Sequence, residues 1–403
     1  MSPAEPSKLG AVLLNSGGGW TKEESAVLME GPSMTLSFHG GASVLRSGEK
    51  LVKVHVSPLP ILEEKLSQGY FALGYISYEY FWSILKGFKT GRMKDGWKPP
   101  AANFMFFEKE AVRRENLARW MESAAATRAR HGHPPRPNMT KSAFAQMVQK
   151  ARQYIAKGDI YQVNLSQRFD APFKIQPEQF LSKLYLAQPT PYSCCLNFGE
   201  FQLLSGSMEL FLRRIGRSVV TRPIKGTRRR GKNKREDAKL RGELLKSEKE
   251  RAENLMIVDL MRNDLSRVCE AGSVRVNRLF EAERYSTLYQ LVSEVEGKLE
   301  KGATLEEIIG ATFPPGSVTG APKVRAMEII DELEPHFRGP YCGAIGFFKP
   351  NGDFTLSVAI RVLLASQGMV NFWVGGGITW GSEPESEYEE TLIKARALLK
   401  ALS

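Results

Sequence analysis

Apolar residues in the first third of the chain come in short runs separated by turn-forming residues. "MTLSFHG" (34–40), "LVKVHV" (51–56) and "GYFALGYISYEYFW" (69–82) are β-branched or aromatic stretches punctuated by Gly, Ser and Pro, which predicts strands and turns for residues 1–123. A polar, basic and proline-bearing stretch follows, "AAATRARHGHPPRPNMTKS", and predicts an exposed connection over 124–141. The period then lengthens. "KSAFAQMVQKARQYIAKGD" carries apolar residues at helical spacing and reaches Gly158 just past its end, whereas "IYQVNLSQRF" returns to a strand pattern. From residue 142 to 403 the two kinds intermix: "ENLMIVDLMRNDLSRV" and "PKVRAMEIIDEL" read as helices, "GAIGFF", "FTLSVAIRVLLA" and "MVNFWVGGGI" as strands. Strands arrive in consecutive groups and not in strict βαβ alternation, so the expected class is α+β, with large antiparallel β-sheets packed with helices.

Composition narrows this picture only a little. The 403 residues are 42% hydrophobic and 25% charged, which suits a folded chain and not a disordered one. No apolar run approaches the ~20 residues that cross a bilayer, and "MSPAEPSKLG" has no basic stretch leading into an apolar signal core. The reading is a cytoplasmic protein with no membrane partner. Cys194 and Cys195 are adjacent while Cys269 and Cys342 are isolated, so neither CxxC metal spacing nor a disulfide framework is present and the thiols read as structural. The net charge of +12 suits nucleic acid, an anionic surface or a small polyanion, without choosing among them. "RRRGKNKR" (228–235) stands beside acidic "EDAK" with no RNP-type aromatic pattern, which reads as a solvated loop, and no nucleic acid is expected.

Candidate chemistry sits on helices and glycine-rich loops. Glu250 and Glu253 in "EKERAENLMIVDL" stand three apart, as do Glu387 and Glu390 in "SEYEETLIKA", so each pair shares one helical face, while Leu255, Met256, Val258 and Tyr388, Leu392, Ile393 are available to the core. Two facing carboxylate pairs could hold Mg²⁺, a hard ion that takes oxygen ligands, or could equally be solvated faces. "FPPGSVTGAPK" is not a nucleotide-binding P-loop: its glycines are too close, no Ser or Thr follows Lys323, and Pro322 has no N–H. Pro322 suits the first turn of a helix capped by Thr319 or Gly320, whose amides could receive a carboxylate. Gly375, Gly376 and Gly377 either admit a ligand close to the backbone or form a plain turn. Arg361, ending the apolar strand "SVAIR", either clasps a carboxylate or makes a structural ion pair. Lys225 in "RPIKGTRRRG" is either a reactive amine or the first charge of a basic loop.

In order along the chain, "GDIYQVNLSQRF", "SMELF", "RPIKGT", "ENLMIVDLMRND", "FPPGSVTGAPKVRAMEIIDELEP", "RGPYCGAIGFF", "AIR", "GGGI" and "EYEET" resemble the chorismate-utilising enzymes. That family includes anthranilate, aminodeoxychorismate, isochorismate and salicylate synthases. The resemblance covers about residues 140 to 400, with weaker matches in "LLNSGGGW" and "GYISYEYFW". It implies that 142–403 is the chorismate-binding catalytic region, co-folded with the N-terminal part. Members that add water carry a lysine base where this chain has Gln162, whereas Lys225 matches the subgroup in which the lysine is a nucleophile. The reaction implied is amination of chorismate at C4, giving 4-amino-4-deoxychorismate for 4-aminobenzoate and folate synthesis, with anthranilate formation as the alternative.

The roles implied are Lys225 as nucleophile, Glu209 as general acid, and Mg²⁺ on Glu253 and Glu390 supported by Glu250 and Glu387. Thr227, Thr319, Gly320, Lys323, Tyr341, Arg361, Gly375, Gly376, Gly377, Lys394 and Gln290 are implied to bind substrate or line its pocket. Gln290 replaces the usual family His, which fits a product that keeps its enolpyruvyl group. Met208 replaces a common Pro and is expected to alter only the local backbone. No glutaminase nucleophile with His and acidic partners is visible, so ammonia is expected from a separate glutamine amidotransferase subunit.

Overall fold

The computed structural model describes residues 9–15, 19–20, 24–85, 98–125 and 134–402. Among them, two sheets carry ten and twelve strands, and every strand pairing is antiparallel. The fold is α+β. Strand Gly10–Asn15 shows why both faces of the ten-stranded sheet are covered. Its alternate residues divide, Leu13 joining one core and Val12 and Leu14 another, so all six of its residues are buried. The core containing Leu13 draws on both sheets, through residues such as Leu36, Leu203, Leu212 and Leu356. The other packs Leu14, Leu363 and Phe372 against helices Pro177–Ala187 and Pro384–Leu402, which contribute Phe180, Leu184 and Leu398. Each such fully buried Leu or Phe contributes about 1.5–3 kcal/mol.

N-terminal and C-terminal strands share sheets. Gly10–Asn15 pairs with Tyr192–Asn197, and Phe71–Ile76 pairs with Ala344–Phe348. Of the polar connection, residues 126–133 lie outside the described residues. Before them runs helix Leu117–Ala125, and after them Arg136–Pro137 pairs with Phe169 and Asp170. Thr140 then caps helix Lys141–Ala156 by accepting from Ala143 N at 3.1 Å.

Two places where the chain changes sheet position the site. Strand Phe201–Ser207 lies in the ten-stranded sheet and Leu210–Ile215 in the other, so Met208 and Glu209 occupy the crossing. The run expected as one strand, 354–365, likewise divides into Phe354–Val358 and Val362–Ser366, one in each sheet. Arg361 therefore does not end a strand; it sits in the crossing with φ of 49°. The two crossings run side by side. Val358 N donates to Glu209 O at 3.0 Å, Gly206 N to Arg361 O at 3.1 Å, and Ser207 Oγ to Val358 O at 2.6 Å.

Several local expectations are corrected. Helix Lys323–Leu333 begins one residue later than expected, with Pro322 as its cap residue, while Gly320–Ala321 forms a short strand against Gln162–Val163. Extended pairing consumes the backbone that a helical cap at Thr319 or Gly320 needed. Leu255 and Ile393 are exposed, because the buried stripes run through Asn254, Ile257, Val258 and Met261 on one helix and Thr391, Ala395 and Leu398 on the other. Gly375–Gly377 form no turn: they stay within strand Met369–Ile378, paired with Asn164, Leu165 and Ser166. All four cysteines are free and buried. No helix among the described residues is long and apolar enough to cross a membrane.

The basic run is largely neutralised from within. Arg229 pairs with Glu236, and Arg230 grips Asp237 through two nitrogens at 2.8 and 2.7 Å, both partners lying on helix Lys234–Lys246.

Candidate active site

Lys225 lies on strand Ile224–Arg229, at the end of the twelve-stranded sheet, next to a β-bulge at Gly226. Gly226 has φ of 83°, which favours glycine, and a Cβ there would push on Glu250 Oε2 at 2.7 Å. The bulge leaves Thr227 exposed while Lys225 is partly buried, so Thr227 is not gathered into the interior with the other candidates. Lys225 Nζ donates to Ser317 O at 3.1 Å. Burial pushes the Lys225 amine down from its ordinary value; Lys394 adds to this, and Glu253, Glu209 and Glu390 oppose it.

Glu209, 5% exposed, is held at the crossing. Burial pushes its carboxyl up to about 7, against a hydrogen bond from Ser317, the charge of Lys225 and the Ile224 amide. Amine and acid are thus both moved toward neutrality by the same dry surroundings. Their common neighbour Ser317, on the loop before Thr319, was not singled out from the sequence.

Helices Glu248–Ser266 and Pro384–Leu402 bring the four carboxylates near one another. Glu253 is held up by burial, with Glu250 and Glu390 adding to the effect, and Glu387 is held up by burial and by Glu390. Glu390 is pulled down by Lys394, whose Nζ lies 2.7 Å away and also donates to Gly375 O at 2.9 Å. Arg228 meets Glu250 at 3.1 Å and Lys249 approaches Glu253 at 4.0 Å. The oxygens therefore lean on protein cations, and among the described residues no three acidic, His or Cys groups converge at metal-ligand spacing. Gly376 opens the space beside them: a Cβ there would stand 3.1 Å from Glu387 Oε2 and 3.8 Å from Glu390 Oε1.

Other candidates divide into those facing this space and those occupied elsewhere. A Cβ on Gly375 would meet Tyr341 Oη at 2.9 Å, and one on Gly377 would meet Gln162 Nε2 at 2.5 Å and Lys225 Nζ at 3.5 Å. Tyr341 stacks on Trp373 with centroids 6.4 Å apart. Arg361 has no carboxylate partner among the described residues, which removes the structural ion pair as its explanation; burial lowers its guanidinium to about 10. Gln290 is 3% exposed, places Nε2 against Met208 Sδ, and leaves Oε1 without a partner among the described residues. Met208 thus reaches beyond the local backbone to which its effect was expected to be confined, because its long side chain meets Gln290 on strand Leu288–Lys298.

Thr319 and Lys323 are spent inside the protein. The Thr319 hydroxyl donates to Pro315 O and Gly316 O. Lys323 Nζ contacts Asp264 Oδ2 at 2.5 Å and donates to Thr312 O at 2.7 Å, a buried clamp between two helices, so its ammonium is not offered to a ligand. Gly320 serves close backbone approach, since a Cβ would fall 2.2 Å from Gln162 O. A buried pair unnoticed in the sequence braces the loop: Arg338 donates to Glu334, Val318 O and Asn164 O, and Glu334 also accepts from Ser166 N at 2.7 Å.

Two antiparallel sheets with an amine, an acid and paired carboxylates at their seam define a class, and the sequence agrees: the chain belongs to the chorismate-binding enzymes, whose family pattern spans residues 10–400. It is a chorismate-utilising enzyme. Aminodeoxychorismate synthase component 1 of Bacillus subtilis is 38% identical over 404 residues, covering 92% of this chain and 85% of that protein. Anthranilate synthase component 1 of Aquifex aeolicus is 45% identical over 267 residues, which is 66% of this chain and 54% of that protein, so this match spans about half of that relative. The crystal structure of anthranilate synthase component I from Streptococcus pneumoniae TIGR4 superposes with a TM-score of 0.78 at 28% identity, over 99% of this chain and 94% of that one.

Proposed function

We propose that the protein aminates chorismate at C4, forming 4-amino-4-deoxychorismate on the route to 4-aminobenzoate and folate. The observation that carries this reading is Lys225 Nζ held at the seam beside the raised carboxyl of Glu209. A nucleophilic amine must be neutral, and desolvation favours that form. Lys225 Nζ bonds to C2 of the ring, the diene electrons shift, and the C4–O bond breaks. Glu209 supplies the proton with which the oxygen departs as water. Ammonia then bonds to C4, the electrons shift back, and the C2–N bond to Lys225 breaks. Arg361, without a carboxylate partner among the described residues, supplies a fork for a substrate carboxylate.

Magnesium suits the chemistry of the donor set, four carboxylates from two helices, two of them held up by burial and like charge, and to hold it their oxygens would draw together and leave Arg228, Lys249 and Lys394. Glu253 and Glu390 would hold it with Glu250 and Glu387 in support, and when bound it supplies Lewis acidity toward a ring carboxylate. Ammonia is taken from a separate amidotransferase subunit, in keeping with relatives named component 1.

The alternative, anthranilate formation, is favoured by the higher identity over the shorter match to anthranilate synthases. The decisive experiment supplies chorismate, Mg²⁺ and ammonium salt and identifies the product. A non-aromatic amine is expected; fluorescent anthranilate would replace the first reading by the second. Lys225→Ala should lose at least ~10²-fold in turnover, the scale of a deleted catalytic group, while still binding chorismate. Turnover at the wild-type rate would exclude the covalent role.

A further inference from the structure

The amide of Gln162 faces Lys225 across the space that a side chain on residue 377 would fill. A Cβ there would lie 2.5 Å from Gln162 Nε2 and 3.5 Å from Lys225 Nζ. Gln162 is 1% exposed, and its Oε1 has no hydrogen-bond partner among the described residues. A buried amide oxygen without a donor costs about 1–3 kcal/mol, which leaves this one free to accept from a nearby N–H. Lys225 Nζ, for its part, has one acceptor among the described residues, Ser317 O at 3.1 Å.

A neutral primary amine has two N–H hydrogens and one lone pair. Held by a single acceptor, it turns about its Cε–Nζ bond and the lone pair sweeps a cone. Held by two, it has one direction. The two ends of an amide exchange by a half-turn of the side chain, and the surrounding hydrogen bonds decide between them. That half-turn puts Oε1 where Nε2 now stands, on the wall beside Gly377 that Lys225 Nζ also lines.

We propose that Gln162 is a positioning residue for Lys225, its Oε1 accepting the second N–H so that Ser317 O and Gln162 Oε1 fix both hydrogens and aim the lone pair at the substrate. This rests on Lys225 acting as the nucleophile. It also gives a reason for an uncharged acceptor here. The amine already faces Glu253 from helix Glu248–Ser266, Glu209 from the crossing, and Glu390 and Lys394 from helix Pro384–Leu402. One more carboxylate would hold it as ammonium, whereas an amide orients it without that bias.

The test follows formation of the covalent lysine adduct on chorismate without ammonia, by rapid quench and intact-protein mass spectrometry across pH. In Gln162→Met, adduct formation should slow about 10–100-fold, as for a misaligned reactant, with KM for chorismate and the acid limb of the profile unchanged. In Gln162→Glu the acid limb should move to higher pH by one unit or more, the direction an added negative charge dictates. A Tm of Gln162→Met within a few degrees of the wild type separates lost alignment from lost folding. Adduct formation by Gln162→Met at the wild-type rate, or an unmoved acid limb in Gln162→Glu, overturns the proposal. Absence of any adduct in the wild-type enzyme would instead strike at the nucleophile itself.

Discussion

Glu209 carries opposite demands as a proton donor and as a buried group. Its carboxyl is raised to about 7 by burial, so the folded state favours the protonated form. The associated stability is complete below the ordinary carboxyl range, declines as pH rises from there, and is gone above about pH 7. Glu209→Gln keeps the shape without the charge. Denaturant unfolding at pH 8 should show the variant more stable by up to about 3 kcal/mol, narrowing to little at pH 5, while turnover collapses. Equal stability of the two proteins at both pH values would show that Glu209 is not desolvated as described. At this scale the sequence was informative about identity and poor about surroundings. Lys225 and Glu209 stood out by the motifs around them, but Ser317, Asn164, Gln162 Oε1 and the Glu334–Arg338 brace acquire their roles through contacts between residues far apart in the chain. Lys323 shows the converse error: its motif suggested a ligand, and a non-local partner, Asp264, had already taken the charge.

Among elements, helix Lys323–Leu333 is tied to helix Glu248–Ser266 by that same buried ion pair. Lys323→Met leaves Asp264 as an uncompensated interior carboxylate, and breaking a buried pair from one side costs about 3–5 kcal/mol. Thermal or urea unfolding should register that loss, whereas a change within a few tenths of a kcal/mol would return Lys323 to the list of free ligands. Helices were readable where apolar spacing ran up to a terminal glycine, as before Gly158. Strands were readable as apolar runs. Their division between sheets was not, because "FTLSVAIRVLLA" is apolar on both sides of the break, and only Arg361, with its left-handed backbone, marks the change.

For the whole molecule, the motif-bearing part is not self-sufficient. Strands Gly10–Asn15 and Phe71–Ile76 lie in the interior of the two sheets, so their loss would bare the edges of Tyr192–Asn197 and Ala344–Phe348 together with the core between the sheets. A fragment beginning at Thr140 is expected to be insoluble or to lack near-ultraviolet circular dichroism; a cooperative unfolding transition from that fragment would contradict this. The resemblance to known enzymes was strongest after residue 140, where the residues that carry the candidate chemistry lie, while the earlier part is read chiefly from its hydrophobic pattern.

The adjacent crossings carry a mechanical consequence. Two stretches of backbone that pass between the same layers, bonded to each other, act as a rivet: neither sheet can glide over its partner without rupturing both. The acid and the guanidinium mounted there are consequently clasped by both layers at once, so a change that loosens either crossing displaces the pair together.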